Sequence, residues 1–142
     1  MNTFRLEIVT PERKIFSDDV VFLAVRGVEG DLGIAAHHIP FVTALAIAPA
    51  KVTFPDGREK RIAVSGGFLE VRGTEATILA EAAELPEEID LERARRAKAR
   101  AEAAMEEARR RTDAEAKIAY VKAELALRRA LMRLEVGGGD GA

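Results

Sequence analysis

The chain has 142 residues, 48% of them hydrophobic, and its 22 basic and 24 acidic side chains leave a net charge of -2. That length and composition predict one modest core plus an appendage and exclude a disordered chain, while the near-balanced charge disfavours nucleic acid or an anionic lipid surface as partner. The absence of cysteine removes disulfides, thiolate catalysis and Cys-ligated zinc together, and the adjacent pair His37 and His38 does not by itself make a metal site, so none is expected.

Met1 to Arg5 runs straight into a strand pattern without the basic, apolar and small-residue sequence of a secretory signal, which predicts a protein kept in the cytosol or an equivalent compartment. No apolar run approaches the roughly 20 residues needed to cross a bilayer, so membrane association is expected to go through a partner. Phe4, Leu6 and Ile8 alternate with Arg5 and Glu7, the pattern of a half-buried strand that Thr10, Pro11 and Glu12 end. Ile15 and Phe16 begin a second run. Val20 to Val25 is apolar enough for a central strand, and Gly27 to Gly33 forms a turn. Phe41 to Leu45 and Val52 to Phe54 continue the pattern, with Pro55, Asp56 and Gly57 as a hairpin turn into Arg61 to Val64.

Ser65, Gly66 and Gly67 are expected to break the strand before Phe68 to Val71, a bulge or corner, and Gly73 with Thr74 turns the chain into Ala76 to Leu79. Many short strands without interleaved helices predict an antiparallel β-sandwich or flattened barrel. A nucleophile elbow, a phosphate loop and a carboxylate pair flanked by a base are all missing, which argues against an enzyme.

At Asp90 the pattern changes. Asp90 is a good helix N-cap, Ile89 before it suits a hydrophobic staple, and Glu92 sits where the helix dipole favours negative charge. Ala94, Ala97, Ala101, Ala104 and Ala108 fall at three- and four-residue steps, as do Ala116, Ala119, Ala123, Ala126 and Ala130. These are coiled-coil seams of little apolar area that let two helix axes approach closely. Thr112 and Asp113 mark the reversal. Ile118, Val121, Leu125 and Met132, with Leu127, Leu131 and Leu134, give the second helix more apolar surface than an alanine-rich partner covers, leaving some for the sheet or for another protein.

The fold class is therefore α+β: a β-sandwich over residues 1–86, a helical hairpin over 87–136 and a flexible tail over 137–142. An antiparallel hairpin brings the start of its first helix beside the end of its second, so Arg93 falls near Arg129 and Arg133, and arginines converging at a helix N-terminus suit an anion.

In this order the strings are similar to the epsilon subunit of the bacterial F-type ATP synthase, over nearly the whole chain. They are Val9, Thr10, Pro11; Gly30, Asp31, Leu32, Gly33, Ile34 with His38, Ile39, Pro40; Ser65 to Val71; and Ala123 to Leu127 with Arg129 and Ala130. The resemblance implies a non-catalytic rotor subunit serving proton-driven ATP synthesis, peripheral on the cytoplasmic face of the cell membrane. Its β domain would join the gamma subunit to the c-ring, with Gly33, His38 and Pro40 at partner contacts. Its hairpin would inhibit ATP hydrolysis when extended into the catalytic alpha/beta hexamer and release that block when folded. Ile89, Asp90, Arg93 and Ala94 match the family's motif for ATP as a regulatory ligand of the folded hairpin, and Glu84, Arg129 and Arg133 match further positions of that site. Without a Walker motif, ATP would be sensed rather than hydrolysed.

Two other classes compete on sequence grounds. A structural adaptor or chaperone would show an exposed apolar groove and self-assemble. A nucleic-acid module would use the Arg clusters, but acidic residues interleave them and Tyr120 is the sole aromatic in that half.

Overall fold

The computed structural model describes residues 2–138, in two compact units that divide between Pro86 and Glu87. In the first unit β1 (Phe4–Val9), β2 (Lys14–Val20), β3 (Phe22–Gly27), β4 (Gly30–Ile34), β5 (His38–Thr53), β6 (Glu59–Gly73), β7 (Glu75–Ala80) and β8 (Ala83–Glu84) follow in chain order. They pair in the order β2-β1-β7-β6-β5-β3-β4, with β8 beside β6. The path is open, and one core cluster draws residues from all eight strands, which requires the sheet to fold over on itself as a sandwich. Leu6, Ile8, Leu23, Ile34, Ile62, Leu69 and Ile78 are its largest fully buried side chains. β1 alternates buried with more exposed residues, as its sequence requires.

Three details depart from expectation. The sandwich is not wholly antiparallel, because β1 and β7 pair parallel from Arg5↔Glu75 to Val9↔Leu79. The separate runs expected around Phe41 to Leu45 and Val52 to Phe54 are one strand of 16 residues. Likewise, Ser65 to Gly67 does not break β6, which is continuous over 15 residues.

Instead, the glycine pair marks a change of partner. β6 pairs with β8 at Ala63 and Val64, and with β7 from Gly67 onward. Ser65 N–H donates to the Ala82 carbonyl at 2.9 Å, so the ladder is carried across the junction. Gly66 and Gly67 take φ of 82° and 120°, conformations L side chains rarely adopt. Upstream, His37 holds the left-handed region at φ 64°, closing the approach to β5, with its N–H donated to the Gly73 carbonyl.

In the second unit, after a 3-10 turn at Pro86–Glu88, α1 (Leu91–Arg110) and α2 (Glu115–Gly138) form an antiparallel hairpin. Its buried alanines recur every seven residues: Ala94, Ala101 and Ala108 on α1, and Ala116, Ala123 and Ala130 on α2. Ala97, Ala119 and Ala126 are half-buried, whereas Ala104 is exposed and lies off the seam. The turn has neither Gly nor Pro. Arg111 makes a two-pronged ion pair with Asp113, at 3.0 and 2.7 Å, and holds that carboxyl below its usual range. Arg109 lies over the Tyr120 ring at 5.8 Å and ties the two helices at this closed end.

The tail expected from residue 137 does not begin there. Gly137 and Gly138 are still helical, and residues 139–142 lie outside the described residues.

Candidate nucleotide site and partner surfaces

Asp90 caps α1 from an extended conformation, φ -85° and ψ 100°, which turns its carboxylate back over the first turn. Its Oδ1 accepts the Arg93 N–H at 3.0 Å, and its backbone carbonyl accepts the Ala94 N–H at 3.0 Å. The Arg93 side chain is exposed while Ala94 is 2% exposed in the seam, so these adjacent residues turn one to solvent and one to packing. Ile89 is half-buried and lies against α2 at Gly137.

That last contact sets the hairpin's register. Arg133, four residues before Gly137, lies about 6 Å back along α2 at 1.5 Å per residue, level with the first turn of α1 that carries Arg93. Arg129 is about one turn further along. Both are half-buried, and Arg133 already has an interaction partner. Glu84 is half-buried on β8, where it pairs with Ala63, and belongs to the β unit. The hairpin therefore brings Ile89, Asp90, Arg93 and Ala94 together with the end of α2 that bears Arg133.

The Asp90 carboxylate on the Arg93 N–H puts negative charge at the helix end, so guanidinium groups suit a phosphate here better than the helix end does. This donor set fits a polyanion. An open hollow at the other end of the hairpin, lined by Ala108, Arg109, Arg111, Thr112, Asp113 and Tyr120 among others, includes none of these residues. Among the described residues, no group of three or more His, Cys, Asp or Glu side chains is arranged to hold a metal ion, and no helix is long and apolar enough to cross a membrane.

In the β unit, the three residues assigned to partner contacts occupy β4 and the start of β5. At Gly33 a Cβ would lie 2.6 Å from the tip of the Phe22 ring, which lies over this glycine and is itself 40% exposed. The His38 ring packs against Phe41 at 5.1 Å with the rings tilted by 50°, and its Nδ1–H donates to the Ile39 carbonyl at 2.9 Å. Pro40 is exposed at the irregularity between His38 and Phe41.

A wider surface escaped the sequence reading. Ala44, Phe68, Leu79 and Val9 form one cross-strand row over β5, β6, β7 and β1, on the face opposite the core. Phe68 and Leu79 are each 54% exposed and Val42, beside the row, is 63% exposed. The signal was available in Phe68-Leu69-Glu70-Val71, where alternation with buried Leu69 and Val71 turns an aromatic ring outward.

Comparison with known proteins agrees with this division. Residues 3–86 match the model of the ATP synthase delta/epsilon chain β-sandwich domain, and residues 87–138 that of the delta/epsilon chain long α-helix domain. An ATP synthase epsilon chain of Shouchella clausii is 44% identical over the full length of both chains. One from Halalkalibacterium halodurans is 46% identical, covering 97% of this chain and 99% of that one. A chain in the cryo-EM structure of the Euglena gracilis mitochondrial ATP synthase OSCP/F1/c-ring superposes with a TM-score of 0.73 at 26% identity, over 89% of this chain and 76% of its own length. On its sandwich, its alanine-seamed hairpin and these matches along both, the chain belongs to the ATP synthase epsilon family.

Proposed function

We propose that this chain works in the central stalk of a bacterial F-type ATP synthase, binding gamma and the c-ring through its β unit, with its hairpin as an ATP-sensing brake on hydrolysis. The observation that carries the reading is the capped hairpin start, where Asp90, Arg93 and Ala94 sit at the end of α1 that meets the C-terminal end of α2. The narrow alanine seam supports it, since a hairpin held by little apolar area is one that can open. So do Ile118 and Val121, exposed at 62% and 52% on α2, which give an extended hairpin apolar surface to bury in the catalytic hexamer.

In the folded hairpin Arg93, Arg129 and Arg133 would hold the phosphates of ATP, while Asp90 keeps the first turn of α1 in place. The Asp90 carboxylate repels phosphate and suits ribose, base or backbone groups. A ligand that binds only the folded form shifts the equilibrium by about 2.7 kcal/mol at a hundredfold excess over Kd. Low ATP would then free the hairpin to extend and arrest wasteful hydrolysis.

Titration of ATP onto the isolated chain should show saturable binding, weakened about tenfold or more by Arg93→Ala or Arg129→Ala as one charge-assisted contact is lost. Absence of saturable binding, or binding indifferent to both substitutions, would reject the sensor. The stalk contact is tested separately. Phe68→Glu places a charge in the apolar row and should abolish co-purification with gamma, and a complex that survives it would move that interface elsewhere.

A further inference from the structure

α2 stays helical through Gly137 and Gly138, the residue type least suited to a helix apart from proline. Something other than propensity holds this turn. A Cβ on Gly137 would lie 2.9 Å from Ile89 Cγ2, 3.1 Å from Ile89 Cβ and 3.0 Å from Leu91 Cδ2. The backbone here is helical and open to any L residue, so glycine is needed for space alone.

Ile89 and Leu91 flank Asp90, the cap of α1, and two residues with bulky side chains thus straddle the cap and close on one bare helix turn. Val136, the neighbour of Gly137, is 5% exposed, which places the same turn in a packed environment. Much of the rest of the seam is alanine, and at the far end the chain itself joins the helices, with the Arg109–Tyr120 contact between them. The end where Gly137 lies is the one the chain does not join, and so the one free to part first.

We propose that Gly137, Ile89 and Leu91 form a steric latch that fastens the C-terminal turn of α2 to the capped start of α1 and sets how readily the hairpin opens. The latch depends on shape and apolar contact, and stands whether or not a nucleotide binds. It makes the length of the side chain at residue 137 a control on hairpin opening: any Cβ there pushes Ile89 and Leu91 away from α2.

Amide hydrogen exchange on the full-length chain tests this through a difference in sign. Gly138→Ala should leave exchange unchanged or slow it, because alanine favours helix. Gly137→Ala should instead speed exchange about fivefold in the first turn of α1 and the last turn of α2, despite the same gain in propensity. That acceleration should shrink in an Ile89→Ala background, where Cγ2 is removed. If Gly137→Ala slows exchange as Gly138→Ala does, or if its effect is the same with and without Ile89→Ala, the latch is overturned.

Discussion

Gly67→Ala should be the most damaging single methyl addition to the β unit, lowering stability by about 3–5 kcal/mol. A Cβ at residue 67 would lie 2.1 Å from the Leu79 carbonyl oxygen and 2.8 Å from Ala80 Cα, and both are backbone atoms that cannot rotate aside. The φ of 120° adds strain that only glycine avoids. Relief would require β7 to move away from β6 where Gly67 pairs with Ala80, opening the core beneath Ile78 and Leu69. For a domain this size, whose total stability is about 5–15 kcal/mol, the loss corresponds to a fall of roughly 12 °C or more in Tm. Gly66→Ala is the control. Its φ of 82° is also unfavourable, but the nearest atoms stand 3.6 Å away on the flexible Glu81 side chain, so about 1 kcal/mol is expected. Thermal melts of the two variants decide the matter, and equal losses would show that backbone strain rather than the carbonyl clash governs this junction.

The contrast between these two glycines also shows what sequence could and could not tell. Local chemistry was legible. Asp56 and Gly57 make the expected turn, with the Arg58 N–H donated to Asp56 Oδ1 at 3.0 Å, and Asp90 caps the helix its residue type suggests. What failed was any feature decided by a distant segment. Ser65-Gly66-Gly67 reads as a break because glycine weakens a strand locally, yet β6 continues because β5 pairs with it on both sides of the glycines while β8 and then β7 take its other edge. The parallel β1–β7 pair joins segments about 70 residues apart and leaves no local trace.

The candidate site divides along the same line. Asp90, Arg93 and Ala94 lie within one turn of helix, so spacing alone places them. The level of Arg133 follows from a register that the contact of Ile89 and Leu91 with Gly137 sets, and that contact is invisible in a stretch that reads as a glycine tail. Tertiary packing overrides propensity there, as it does at Ala104, which has seam spacing but is exposed.

Ala123→Asp should unfold the hairpin while leaving the β unit intact. Ala123 is 7% exposed at the middle of the α2 seam, and its helical neighbours Ala119, Tyr120, Ala126 and Leu127 offer no cation to a new carboxylate. The six heptad-spaced alanines, at about 0.8 kcal/mol for each methyl-sized group buried, contribute on the order of 5 kcal/mol before the cost of ordering two helices. Burying a carboxylate in that seam costs several kcal/mol, so one substitution offsets most of what holds the helices together. Ala104→Asp should differ, because Ala104 is exposed, and lower helix propensity leaves a loss of about 0.7 kcal/mol at most. Hydrogen exchange reads both units in one sample: for Ala123→Asp, protection should vanish across α1 and α2 while β5 and β6 keep theirs. If Ala104→Asp proved as harmful as Ala123→Asp, the three- and four-residue alanine spacing would describe the seam better than the seven-residue burial does. If neither mattered, the hairpin would be held by its apolar ends and flanks instead, and nucleotide-dependent opening would have to work against those contacts rather than against the alanines.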